Sequence, residues 1–212
     1  MKTRLKNFMS HIPLISNKTK LIISISLVIF AFILFCIRPS ATDAKICLLA
    51  MFFSFLGDLS LNCMPINKRP YYLLYTGAAF FMIAHLLYAA AYYWLICVSN
   101  NVFFNLGASL ACTFIVLLFI ASVAFTIYSK SKPKVMTIIV FCLYTLIIAT
   151  NFVTIYSYSW SFSAISFIGA LSFLISDFII GIETVFKIKS KTLRKLVWIF
   201  YPIGQILIIA CR

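Results

Sequence analysis

The chain has 212 residues, of which 64% are apolar and only 10% charged, with 18 Lys and Arg against 4 Asp and Glu. Soluble domains run near half apolar and about a quarter charged, so a soluble fold of this length would leave too much apolar surface in water. The formal charge of +14 does not point to nucleic acid. The basic residues sit in short tracts between long apolar runs, where they act as topology signals and contacts to anionic lipid.

A spanning helix needs about 20 apolar residues, and uninterrupted runs predict an all-α bundle of about seven spans. The first run, Leu21 to Ile37, follows a basic segment and stops at Arg38-Pro39. It lacks a small-residue cleavage site and reads as an uncleaved span rather than a signal peptide. The next runs are Ile46 to Met64, Tyr72 to Val98, Leu106 to Tyr128, Val135 to Tyr156, Phe162 to Phe186 and Leu196 to Ala210. Residues 1–20 form a basic cytoplasmic or interfacial segment, and 21–212 a single transmembrane domain. With the N-terminus inside, every Lys and Arg except Arg38, Lys45 and Arg212 falls on the cytoplasmic side, which is the bias that sets orientation. Asp43 is expected in an outer loop. Aromatics such as Tyr71, Tyr93, Trp94, Tyr158, Trp160 and Trp198 sit near span ends, as an interfacial belt does. The cysteines lie in or at the ends of apolar runs without a C-x-x-C pair and read as small apolar filler.

A carboxylate at a helix centre costs about 2.5–3.5 kcal/mol on insertion scales, so an intramembrane ionisable group marks a functional site by default. Asp58 in the second span, His85 in the third and Asp177 in the sixth meet that criterion. Tyr201 and Gln205 of the seventh fall at similar depth, so five polar groups from four spans are expected in one layer, slightly cytoplasmic of the midplane. Glu183 lies nearer the span end and is paired by spacing with Lys187, a structural i,i+4 contact. Gly77, Phe81, His85 and Tyr88 form one helical stripe. Gly169, Phe173, Asp177 and Ile180 form another, and Ser54 shares a face with Asp58. The glycines read first as close helix packing. The pattern Gly77-Ala78-x-x-Phe81-x-Ile83-x-His85 recurs 92 residues later as Gly169-Ala170-x-x-Phe173-x-Ile175-x-Asp177, either by chance or as the trace of an inverted repeat.

The blocks Phe53-Ser54-x-x-Gly57-Asp58, Gly77-Ala78-x-x-Phe81-x-x-Ala84-His85-x-x-Tyr88, Gly169-Ala170-x-x-Phe173-x-x-Ser176-Asp177 and Tyr201-x-x-x-Gln205 resemble, in order and spacing, the YhhN family of membrane lysoplasmalogenases. The resemblance covers about residues 18 to 212. Such proteins usually have eight spans. Here the first span looks like the family's second, so the family's first is either missing or replaced by a surface segment in residues 1–20.

The resemblance implies hydrolysis of the sn-1 vinyl ether of a lysoplasmalogen to a fatty aldehyde and a glycerophospho-base, without a cofactor. Vinyl ether cleavage needs a proton donor for the β-carbon, a negative charge near the resulting oxocarbenium ion and an activated water. Two carboxyl groups in unlike environments meet a similar need in glycosidases. Asp177 is the expected acid and Asp58 the stabilising charge, with the reverse assignment open, and His85 orients water or relays the proton. Ser54, Tyr88, Ser176, Tyr201 and Gln205 are expected to contact substrate, and the cytoplasmic lysines and arginines to draw in the lipid phosphate. Asp58, His85 and Asp177 also have the composition of a three-ligand metal site, but with one intramembrane His and no clustered Cys no metal is expected. The implied partners are an alkenyl lysophospholipid and membrane lipids, in the bacterial inner membrane or the endoplasmic reticulum, as a monomer or homodimer. From the residues alone, a proton-coupled transporter or channel stands level with an enzyme, since intramembrane Asp and His also form proton relays, and a purely structural bundle is the third possibility.

Overall fold

The computed structural model describes residues 16–62, 71–99, 135–161, 164–185 and 190–210. These form six helices: α1 (Asn17–Ile37), α2 (Thr42–Asn62), α3 (Tyr71–Val98), α4 (Val135–Ser161), α5 (Ala164–Val185) and α6 (Lys191–Ala210). No strand occurs among the described residues. All six are long and apolar enough to cross a membrane, so the protein is a polytopic α-helical membrane protein. The expected span at Leu106 to Tyr128 lies outside the described residues.

The first helix shows how local sequence sets the boundaries. Ser16 caps α1, its Oγ accepting from the Thr19 N–H at 3.1 Å, as N-cap hydroxyls do. Its far end stops before Pro39, whose ring and missing N–H cannot continue a helix. One face of α1 buries Ser24, Leu27 and Ala31. The other exposes Ile22, Ile29, Phe32 and Ile37, which is the expected surface of a helix facing hydrocarbon.

Two boundaries differ from the sequence expectation. Asp43 is not in a loop: it stands in the first turn of α2, buried, with its carboxylate 3.2 Å from Arg38. A negative charge there complements the unsatisfied N–H groups of the helix start. The last helix begins at Lys191 rather than Leu196, so Lys191, Arg194 and Lys195 are helical, and Lys195 is buried. Apolar runs mark the hydrocarbon slab, whereas both helices extend beyond it.

Packing fixes the directions of the helices. Against α2, α3 runs antiparallel: Gly77 approaches Leu61, Phe81 covers Gly57, and the Tyr88 hydroxyl meets Met51. Against α4 it runs parallel, because His85 bonds Asn151 while Tyr92, further along, stacks edge-on with Tyr158 at 5.2 Å. α5 returns beside α4, with Gly181 against Phe141 and Phe167 against Phe152, and α6 runs antiparallel to it. Glu183 accepts from the Ser190 N–H at 3.3 Å and lies 3.7 Å from Arg194. Its expected partner Lys187 lies outside the described residues.

The two similar segments on α3 and α5 meet in the core, since Phe81 and Phe173 both pack on Tyr201. Their partner helices come in opposite chain order, however. The α3 glycine faces α2, which precedes it, while Gly169 faces α6, which follows α5. This is not the arrangement of a duplicated helix pair.

Candidate active site in the bundle interior

The polar residues singled out by depth do lie together, but in three adjoining networks rather than one. The first is centred on Asp58, 5% exposed. Its Oδ2 accepts from Ser24 Oγ at 2.5 Å and from the Tyr201 hydroxyl at 2.9 Å. Three helices converge here: Ser24 sits on the buried face of α1, Asp58 on α2, and Tyr201 just before Pro202, where α6 loses one backbone hydrogen bond. Neither bond uses Oδ1.

The second network is centred on His85, 1% exposed. Its Nε2 lies 2.9 Å from Asp177 Oδ2, and its Nδ1 lies 2.8 Å from Asn151 Nδ2. An amide nitrogen can only donate, so Nδ1 accepts. A neutral ring then carries its proton on Nε2 and donates it to Asp177. Asp177 therefore accepts a hydrogen bond from His85. The Tyr144 ring stands edge-on to the His85 ring at 6.0 Å.

The third network lies one turn further along α3. The Tyr88 hydroxyl donates to Gln205 Oε1 at 2.5 Å, and Gln205 Nε2 donates to Ser54 Oγ at 3.1 Å. Beyond it, the Tyr92 hydroxyl donates to the Ile208 carbonyl at 2.6 Å. These bonds tie α2, α3 and α6 together at fixed register.

One ring separates the two carboxyl networks. Phe173 lies 4.5 Å from the His85 ring and 5.5 Å from Tyr201, centroid to centroid. Asp58 and Asp177 are close enough for their charges to interact but do not share a ligand point. Asp58 faces Ser24 and Tyr201, and Asp177 faces His85. Of the expected substrate contacts, Tyr201 reaches Asp58, while Ser54, Tyr88 and Gln205 bond one another. The Ser176 hydroxyl donates to its own helix, at the Phe173 carbonyl.

A match to the family model described as the YhhN family covers residues 18–211. The chain belongs to the YhhN family. No curated protein and no solved structure matches it. The four blocks lie within the matched residues; of their members, Tyr201 bonds Asp58, while Gln205 bonds Tyr88 and Ser54.

Ser24, Tyr144 and Asn151 also belong to these networks without standing out in the sequence. Asn151 had a legible signal, being a carboxamide in the middle of an apolar run. Its Oδ1 is buried and unbonded among the described residues, so its Nδ2 bond to His85 is its one side-chain anchor there. Replacing Asn151 by Leu is expected to lower the thermal midpoint by the equivalent of about 1 kcal/mol, the scale of hydrogen bonds inside membranes. Thr150→Val, at an exposed position whose hydroxyl returns to its own helix, is expected to leave the midpoint unchanged. Equal midpoints for both variants in the same detergent would show that the His85–Asn151 bond adds nothing.

Proposed function

We propose that this YhhN protein hydrolyses the sn-1 vinyl ether of lysoplasmalogens. The observation that carries the reading is the pair of buried carboxyls in unlike hydrogen-bond surroundings, on either side of Phe173. Family membership supports the substrate class, and the helix composition supports a lipid reached from the bilayer.

The hydrogen bonding favours the reverse of the assignment expected from sequence. Asp177 is paired with the His85 imidazole, the one partner here able to carry a positive charge, whereas Asp58 has only the hydroxyls of Ser24 and Tyr201, both on Oδ2, and can hold a proton on Oδ1. Asp58 thus serves as the acid, delivering that proton to the β-carbon of the vinyl ether. The electrons of the double bond form the new C–H bond, and positive charge develops on the ether carbon and oxygen. The Asp58 carboxylate so formed and the Asp177 carboxylate lower the energy of this cation. Water adds to the ether carbon, and its proton is taken up by Asp177, with His85 holding that carboxylate in place. The hemiacetal collapses as its hydroxyl proton leaves for Asp58 and Asp177 gives its proton to the departing glycerol oxygen, breaking the C–O bond and giving a fatty aldehyde and the free glycerol hydroxyl. Proton return to Asp58 completes the cycle, with one water consumed.

The test is aldehyde release from 1-alkenyl-lysophosphoethanolamine by protein purified in detergent, beside its 1-acyl and 1-alkyl analogues. Aldehyde from the alkenyl lipid alone, lost in Asp177→Asn, is the expected result. Folded, monodisperse protein that releases none would refute the hydrolase. The buried His85–Asp177 pair would then be tested as a proton relay, by proton-coupled flux in liposomes.

A further inference from the structure

The Asp58 network lies below the end of the bundle where α1 and α6 begin, close enough for Lys20 to meet Trp198. Lys20 stands one helical turn above Ser24, and the two are joined by the Ser24 hydroxyl, which donates to the Lys20 carbonyl at 3.1 Å as well as to Asp58. The Lys20 ammonium lies 5.5 Å over the Trp198 ring. Trp198 stacks edge-on with Tyr201 at 5.8 Å, and Tyr201 bonds Asp58. A continuous wall of side chains thus leads from a cation at the rim to the buried carboxyl.

The electrostatics at this end are one-sided. Lys18 and Lys20 on α1 and Lys191, Arg194 and Lys195 on α6 gather here. Among the described residues the acidic groups nearby are Glu183, which pairs with Arg194, and Asp58 below. An aromatic face beneath an ammonium holds the flexible stem in one orientation, which lowers the entropy lost when an anion binds.

We propose that Lys20, braced on Trp198 above the Asp58 network, binds the phosphate of a lysophospholipid. This rests on the reading that the bundle accepts such a lipid, and it names the group that sets its depth. The order of the groups supports the assignment: with the phosphate at Lys20, the sn-1 chain can run along the Trp198 and Tyr201 rings toward Asp58. A protonated Asp58 also adds no repulsion to the anion above it, in keeping with its role as the acid.

Binding is measured first, by thermal unfolding in detergent with a saturated 1-alkyl-lysophosphoethanolamine, which is not a vinyl ether, and with the phosphate-free 1-alkylglycerol. The wild-type midpoint is expected to rise more with the phospholipid. Lys20→Met is expected to remove that difference, Lys20→Arg to keep part of it, and exposed Lys18→Met to keep all of it. Equal phospholipid shifts for wild type and Lys20→Met would overturn the assignment. So would an equal shift with inorganic phosphate alone, which would make the ligand a free anion rather than a lipid headgroup. In turnover, Lys20→Met is expected to raise KM for the alkenyl lysophospholipid by about tenfold or more, the scale of a lost charged hydrogen bond, with little change for 1-alkenylglycerol. An equal loss with both substrates would make Lys20 a general structural residue. If the wild type releases no aldehyde, the hydrolase reading fails, while the binding comparison still decides the role of Lys20.

Discussion

Asp58→Asn is expected to lower aldehyde release by about 10²–10⁴-fold, the usual contribution of a positioned general acid, in protein that remains folded. The substitution is nearly isosteric. An amide oxygen can accept from Ser24 and Tyr201 as Oδ2 does, so α1, α2 and α6 keep their connections while the transferable proton is lost. Tyr201→Phe and Ser24→Ala do the opposite, each removing one donor and leaving the acid. A net hydrogen bond is worth roughly 1 kcal/mol, so each should cost about tenfold at most. The comparison is read from turnover on the alkenyl lipid, with gel filtration and thermal midpoints as the check on folding. Near wild-type turnover for Asp58→Asn beside a dead Asp177→Asn would restore Asp177 as the acid and sink the assignment drawn from the His85 pairing.

The residues assigned to this chemistry are legible in the sequence because lipid makes them expensive. A carboxyl or imidazole inside an apolar run stands out by type alone, so Asp58, His85 and Asp177 could be named without a fold. Their partners could not. Ser24 and Tyr144 are ordinary residues in a membrane helix. With α1 apolar nearly all round, periodicity does not reveal which face Ser24 occupies. Depth estimates placed Tyr201 and Gln205 near Asp58 to within about a turn. They do not show the division into separate networks, because a helical stripe does not say which ring of a neighbouring helix comes between two polar groups; in the fold Phe173 stands between His85 and Tyr201. Asp43 and Lys195 were misplaced for a related reason. Hydropathy reports where hydrocarbon begins, while a helix starts where backbone caps and charges allow, as at Thr42 and Lys191.

The glycine stripes have a consequence that can be measured. Gly204→Ala is expected to be among the most destabilising single-methyl additions in the described core, at or above the upper end of the roughly 1–3 kcal/mol of overpacking. A Cβ at Gly204 would lie 2.8 Å from the Phe173 backbone nitrogen, 2.9 Å from the Phe173 Cβ and 3.0 Å from the Gly169 carbonyl oxygen. Two of these are main-chain atoms, so no rotamer change relieves the contact, and α5 and α6 must move apart. Helix association in lipid depends on close packing rather than on hydrophobic drive, which makes that separation costly. Gly181→Ala serves as the contrast, since its added methyl would meet one ring edge of Phe141 at 3.1 Å and a small ring shift accommodates it. Thermal unfolding in detergent should therefore show a large drop for Gly204→Ala and a small one for Gly181→Ala. The same displacement would carry Phe173 away from its position between His85 and Tyr201. Surviving Gly204→Ala protein should thus lose turnover even below its own midpoint. Full activity and an unchanged midpoint would mean that the α5–α6 contact is looser than these distances require, and that the two carboxyls are held in place by their hydrogen bonds alone.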